Sequence, residues 1–316
     1  MNIIIETPRL YLREFINNDA QDFFEMNNDP EVIKYTGDVP FASVQAAKEF
    51  IDNYDHYKLY GFGRWALCDK KSHYFLGFCG LKYHPKQNLM EVGYRLKKKY
   101  WGNGYATEST AACLDYGFQK LNLNAIYAHT IPENKASANV LNQCDMEYLF
   151  DINHDNALVN FYRKISDKIK IKTIHTEETI AIRQQVLRKG RPREDCYFPD
   201  DNLSTTVHYG IYEEKKLAGI ATFLEQNHSN FEGAHLQLRG MAVLDQHKGK
   251  GYGKLLLETG EQLAHQKKKQ LLWCNARIIA KTFYEKLGYI TFGNSFEIPK
   301  VGTHFVMYKK TTNHHD

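Results

Sequence analysis

Two glycine loops, one domain length apart, constrain this chain more than any other feature. "YRLKKKYWGNGYATE" from Tyr94 and "MAVLDQHKGKGYGKL" from Met241 align without a gap, matching Gly102 to Gly249 at an offset of 147 residues. A chain of 316 residues holds about two domains of ~150 each, so the repeat predicts one unit twice. The surroundings recur as well. Strand "FLGFCGLKYH", turn "PKQN" and strand "LMEVGYRL" lead into the first loop, and "HYGIYEE", "KLAGIATFLEQ", loop "NHSNFEG" and "HLQLRGMAV" lead into the second. β-rich runs separated by turn residues predict antiparallel hairpins.

After each loop the apolar period lengthens from about two to about 3.6. Ala106, Thr110, Cys113, Leu114, Gly117 and Leu121 share one helix face, and Tyr252, Leu255, Leu256, Thr259 and Leu263 share another. Polar "KISDKIK" precedes a fresh strand "KIKIKTI", placing the boundary at 166/167, while the closing "NHHD" reads as a frayed tail. The expected fold class is α+β: two domains, residues 1–166 and 167–316, each a mixed, mostly antiparallel sheet flanked by helices.

A strand that enters G-x-G and then a helix leaves backbone N–H groups pointing outward at the positive end of a helix dipole, which makes an anion cradle. Glycine permits positive φ and keeps side chains off the anion. The spacing decides among phosphate binders. A dinucleotide fold needs a third glycine where Thr107 and Lys254 stand, and a P-loop needs G-K-[ST], which neither copy has. What remains is (Q/R)-x-x-G-x-(G/A), met by Gln246 to Gly251 and, with Lys99 in the first position, by Lys99 to Gly104.

This loop resembles the pyrophosphate loop of the GNAT N-acyltransferases, and the chain resembles two of them in tandem. In the first half "TPRLYLREF", "NNDPEVIKYTGD", "GFGRW", "LGFCGLKY", "EVGYRL", "YWGNGYATE" and "PENKASANVL" are similar, in the same order, to the RimJ/RimL ribosomal-protein-alanine acetyltransferase type. In the second, "LLWCNARIIAKTFYEKLGY" resembles the last segment of a generic GNAT domain. The resemblance implies direct acetyl transfer from acetyl-CoA, as co-substrate, to a primary amine: a protein or peptide N-terminus or a small polar amine. The alternative is one catalytic domain beside a degenerate acyl-CoA-binding or structural one.

Carried over residue by residue, the resemblance makes Leu96, Lys99, Gly102, Asn103, Gly104, Tyr105, Ala106 and Asn134 the acetyl-CoA-binding set of the first half. Met241, Val243, Gln246, Gly249, Lys250, Gly251, Tyr252 and Gly253 form that of the second. Ser137 and Tyr284 become the donors that protonate the departing thiolate, a role general-acid catalysis assigns to a hydroxyl within reach of sulfur. Asn134 and Ser137 also suit a helix start. Two departures stand out: Leu141 occupies the slot where many relatives carry tyrosine, and Asp145 replaces a glycine. For the base, Glu91 is read chiefly as a solvated strand carboxylate, and Glu232, His235, Asp201 and groups around Arg239 stay unranked. Arg183, Arg188, Arg191, Asp200 and Asp201 either select a charged acceptor or form a solvated helix and loop.

Several classes drop out. There are 41 basic and 37 acidic residues, a net of +4, too balanced for a dedicated nucleic-acid binder. No stretch of 18 apolar residues and no signal-peptide pattern occurs, so the expectation is a cytoplasmic protein without a membrane partner. Six cysteines without C-x-x-C and histidines without H-E-x-x-H argue for no metal. Two such domains on one chain are expected to pair as an intramolecular pseudo-dimer.

Overall fold

The computed structural model describes residues 2–154 and 157–311, so the "NHHD" expected to fray lies outside the described residues. The chain divides into two compact units, Met1–Ser166 and Asp167–Asp316.

The first unit runs β1 (Ile3–Glu6), β2 (Leu10–Arg13), α1 (Ala20–Asn27), α2 (Pro30–Ile33), α3 (Val44–Asp52), α4 (His56–Tyr60), β3 (Arg64–Asp69), β4 (Phe75–His84), β5 (Leu89–Leu96), α5 (Tyr105–Gln119), β6 (Ala125–Thr130), α6 (Lys135–Gln143), β7 (Glu147–His154) and β8 (Ala157–Ile165). Its sheet has the order β1-β2-β3-β4-β5-β6-β8-β7, antiparallel except where β6 lies parallel to β5. Helix α5 buries Thr110, Cys113, Leu114 and Gly117, the face its period predicts. A Cβ on Gly117 would stand 2.5 Å from Ile126 Cδ1, so glycine lets helix and sheet close up there. Burying Leu114, 2% exposed, contributes about 1.5–3 kcal/mol.

The second unit runs β9 (Ile169–Ile174), α7 (Thr176–Ile182) continued by a π turn over Arg183–Leu187, β10 (Val207–Glu213), β11 (Lys216–Leu224), β12 (His235–Val243), α8 (Tyr252–Gln266), β13 (Leu271–Arg277), α9 (Lys281–Lys286), β14 (Ile290–Ile298) and β15 (Gly302–Lys310). The sheet order is β9-β10-β11-β12-β13-β15-β14. Helix α8 buries Tyr252, Leu255, Leu256, Thr259 and Leu263. Among the described residues no helix is long and apolar enough to cross a membrane.

One topological detail positions both sites. The parallel pair β5/β6 is joined only at Glu91 opposite Tyr127, and β12/β13 only from His235 opposite Leu271 to Leu238 opposite Cys274. Beyond Glu91 and Leu238, equivalent residues under the 147 offset, the strands part. Each sheet therefore opens into a fork whose free strand edge leads to a glycine loop.

Candidate acyl-transfer sites

Both loops adopt the backbone that the glycines allow. Gly102 and Gly104 have φ of 75° and 76°, and Gly249 and Gly251 have 79° and 82°. Gly104 and Gly251 are the N-caps of α5 and α8, each 15 residues long, and no side chain caps either helix. The first-turn amides are thus left for an anion at the positive end of the dipole. A Cβ on Gly102, Gly249 or Gly251 would meet nothing within 4 Å, so these residues are small toward open space. The cradle fits the diphosphate of a CoA.

A carboxylate props each loop. Glu108 takes Arg9 Nε at 2.6 Å, and Arg9 Nη1 also donates to the Asn103 carbonyl at 2.9 Å. Glu213 takes Lys250 Nζ at 2.9 and 2.7 Å, which holds its pKa below the usual range. Lys99 and Gln246 are exposed, and Tyr252 is 1% exposed, so only its backbone faces the cradle. Lys97 is buried against Asp22 and Glu25, at 2.8 Å from the latter, and its charge is used there rather than at the loop.

In the first unit a cavity of about 550 Å³ joins the loop to the fork, lined by Tyr94, Leu96, Gly102, Gly104, Tyr105, Ala106, Asn134 and Ser137 together with Glu31, Val32, Lys34, Tyr35 and Thr36. Asn134 caps α6, its Oδ1 accepting the Ser137 N–H at 3.1 Å. The Ser137 hydroxyl meets Tyr94 Oη at 2.9 Å, and Tyr94 also donates to the Ser137 carbonyl at 3.1 Å. Burial pushes the Tyr94 pKa up and the Ser137 bond opposes it, so the phenol keeps its proton at neutral pH. Leu141 is buried at the end of the same helix.

Glu91 corrects the sequence reading. It is buried, not solvated, with His84 Nε2 at 2.5 Å, His129 Nδ1 at 3.5 Å and Arg64 at 3.6 Å. Burial alone raises a carboxyl pKa, but the His84 hydrogen bond and the Arg64 and His129 charges outweigh it and bring Glu91 to about 2.

In the second unit Tyr284 is 6% exposed, packed edge-on against Phe283 and Tyr289, with its hydroxyl toward Cys274. Cys274 belongs to the last hydrogen-bonded pair before the fork, so the phenol lies where β12 and β13 part. Burial pushes the Cys274 thiol up to about 12, and the Tyr284 pKa rises for the same reason first. Met241 and Val243 lie on β12 past the fork, half-buried. Arg183 and Asp201 form a buried pair at 2.5 Å, with further bonds from Arg183 to the Cys196 carbonyl and the Thr222 hydroxyl. Neither is solvated or free to hold an acceptor. His235 is also excluded as a base, because Nδ1 accepts the His228 N–H and Nε2 donates to the Glu232 carbonyl.

Residues 9–147 match the family described as acetyltransferase (GNAT) domain, and residues 172–289 match the acetyltransferase (GNAT) family. The uncharacterized N-acetyltransferase YitI of Bacillus subtilis (strain 168) is 35% identical over 142 residues, 45% of this chain and 95% of its own. The chain belongs to the GNAT acetyltransferases. YkkB of the same organism is 34% identical over 164 residues, covering 51% of this chain and 94% of itself. Among solved structures, the ribosomal-protein-S5-alanine acetyltransferase of Vibrio fischeri is 20% identical, covers 53% of this chain and 98% of that one, and has a TM-score of 0.46. Each of these relatives has about the length of one half.

Two features of these GNAT sites escaped the sequence reading. Tyr94 stands inside the first aligned motif, yet its meeting with Ser137, 43 residues later, exists only once β5 and α6 face each other across the fork. The carboxylate props Glu108 and Glu213 likewise depend on partners from other elements.

Proposed function

We propose that each half binds acetyl-CoA and passes its acetyl group to a primary amine, an exposed peptide or protein N-terminus in the first half and a small polar amine in the second. The observation that carries the reading is the continuity of the first-unit cavity, which joins an anion cradle, a strand edge, a hydroxyl pair and the α2 segment in one space. Loop amides hold the diphosphate, and free strand N–H groups near Leu96, and near Met241 and Val243, align the pantetheine and polarise the thioester carbonyl.

The leaving thiolate takes its proton from the Tyr94–Ser137 pair in the first half and from Tyr284 in the second. Because the first pair shares a hydrogen bond, a proton given up by one hydroxyl is replaced from the other. Glu91, already ionised down to about 2, is a weak proton acceptor and serves to fix Arg64 and His84. A second reading, with the first half binding without turnover, is favoured by Leu141 in the tyrosine slot.

Calorimetric titration of CoA, with thiol release from acetyl-CoA on a panel of amines and N-terminal peptides, tests both readings. The expected stoichiometry is two, falling to one in Gly104→Trp and in Gly251→Trp, with a different acceptor lost in each. One site in the parent chain that Gly104→Trp leaves intact, or no acceptor lost in Gly104→Trp, removes the first half from catalysis.

A further inference from the structure

The second fork carries more positive charge than its fold uses. Arg183 and Arg191 have carboxylate partners, Asp201 at 2.5 Å and Asp195 at 3.0 Å. Arg188, Arg239 and Arg277 have none within ion-pair distance among the described residues, although all three are half-buried. They come from three elements to one place. Arg188 Nη1 and Arg277 Nη2 donate to the same carbonyl, that of Leu187, at 3.2 and 2.8 Å. Arg188 and Arg239 lie over one ring, Phe198, at 5.1 and 5.5 Å, and Arg239 is tied to the Pro199 carbonyl at 2.8 Å.

Strand alternation puts Arg239 and Arg277 on one face. The last hydrogen-bonded pair is Leu238 opposite Cys274, so Arg239 and Arg277 are both an odd number of residues past it, on the side away from Cys274 and Tyr284. That side is covered by α7 and its π turn, and it is the acyl end of the strand, ten residues short of the cradle glycine Gly249. Burial lowers the pKa of all three guanidiniums, and at Arg188 the like charges of Arg191 and Arg277 lower it further. Like charges gathered where all three side chains are half-buried are unfavourable until an anion joins them. Asp201 and Asp200 act on Arg239 and Asp195 on Arg188, but Asp201 and Asp195 are already paired with Arg183 and Arg191, which leaves the exposed Asp200 for three guanidiniums.

We propose that Arg188, Arg239 and Arg277 are the specificity residues of the second half and bind an oxyanion, a carboxylate or phosphate, carried by the amine that is acetylated. The acceptor is then a small zwitterion or amino-phosphate, held by its anion so that its amine faces the thioester beside Met241. This rests on acetyl transfer by the second half.

The test uses the full chain and thiol release from acetyl-CoA with matched acceptors: α- and ω-amino acids, their carboxamides, the same amines without a carboxylate, and phosphoethanolamine. Anionic acceptors should lead their neutral partners by about 10–100-fold in kcat/KM, the range of charge-assisted hydrogen bonds. Arg239→Gln/Arg277→Gln should erase that lead through the acceptor KM, with the acetyl-CoA KM unchanged. Arg239→Lys/Arg277→Lys should restore part of it, and melting curves check that the variants fold. The carboxylate and phosphate arms decide between the two anions. Equal use of neutral amines, or a loss in the Gln variant that falls equally on neutral and anionic amines, overturns the arginine assignment while leaving acetyl transfer standing. Absence of thiol release with every amine, in a chain whose second loop binds CoA, overturns both.

Discussion

The two forks hold an arginine in the same way and surround it with different charge. Arg64 lies against Gly93, where a Cβ would stand 2.7 Å from its Nη2, and Arg183 lies against Gly240, where a Cβ would stand 3.3 Å from its Nε. Gly93 and Gly240 are again 147 residues apart. Each arginine also faces a phenylalanine, Phe78 at 5.6 Å and Phe198 at 4.2 Å. In the first fork the remaining charges balance: Glu91 faces Arg64, and Arg95 faces Asp38 and Asn27. In the second, Arg183 and Arg191 are neutralised and Arg188, Arg239 and Arg277 are not. The glycine-seated arginine with its carboxylate is what the fold needs, and the surplus is what distinguishes the second site's ligand.

That comparison breaks first at the carboxylates. Asp201→Asn removes the counter-charge of a fully buried guanidinium, and losing one partner of such a pair costs about 3–5 kcal/mol. Thermal denaturation should show the second unit melting early. Glu91→Gln should cost less, because Arg64 is about a quarter exposed. If Asp201→Asn melts with the parent chain, Arg183 is not held as described.

The Arg64–Glu91 pair sets a pH signature. Glu91 has a folded pKa of about 2 against an ordinary value of 4.5, so its contribution is complete above 4.5 and is lost as pH falls toward 2. The first unit should lose stability over that window, and Glu91→Gln should flatten the dependence. A parent chain whose melting temperature stays constant from pH 5 to pH 2.5 argues against a charged Glu91.

Next in size is the proton donor. Tyr284→Phe removes the second fork's hydroxyl and should lower kcat about 10²-fold with CoA binding kept. Ser137→Ala should cost about 10-fold only, since Tyr94 remains 2.9 Å away in the parent geometry, and the Tyr94→Phe/Ser137→Ala double variant should reach the 10²-fold loss. Steady-state kinetics with each half's acceptor decides this. Equal effects of Ser137→Ala and the double variant would show that the phenol takes no part.

What the sequence disclosed follows from what is local. Glycine loops, the helices behind them and the hairpins ahead are set by contiguous residues, so loop positions and helix faces could be read directly. Burial of Glu91 could not, because alternation assigns a face without saying what covers it, and His84, His129 and Arg64 reach it from three other stretches. Arg183 was legible as a charge but not as a buried one, since its partner Asp201 and the Thr222 hydroxyl are 18 and 39 residues away. The arginine trio shares the difficulty: Arg188, Arg239 and Arg277 meet only because two strands part.

The smallest expected effect concerns the turn after the last helix of each fork. Asp145 departs in type from the glycine expected there but not in conformation: its φ is 54°, and Gly288, in the second unit, has φ of 84°. The hydrogen bonds agree, with the Met146 N–H on the Leu141 carbonyl and the Tyr289 N–H on the Tyr284 carbonyl, both at 3.0 Å. Leu141 and Tyr284 are therefore equivalent by geometry, and an aspartate performs the glycine's turn at the cost an L-residue bears there, about 1–2 kcal/mol. Gly288→Ala should cost about that much, because a Cβ meets only Lys309 Cε at 3.8 Å and strain is the whole effect. Asp145→Gly should gain less than the mirror image. It relieves the strain but frees the unfolded chain and gives up an exposed Lys164 contact at 3.6 Å, worth about 0–1 kcal/mol. Denaturant melts should thus show a loss near 1–2 kcal/mol for Gly288→Ala and a change within about 0.5 kcal/mol of zero for Asp145→Gly. A gain as large as the loss would mean that Asp145 contributes nothing but strain to its turn.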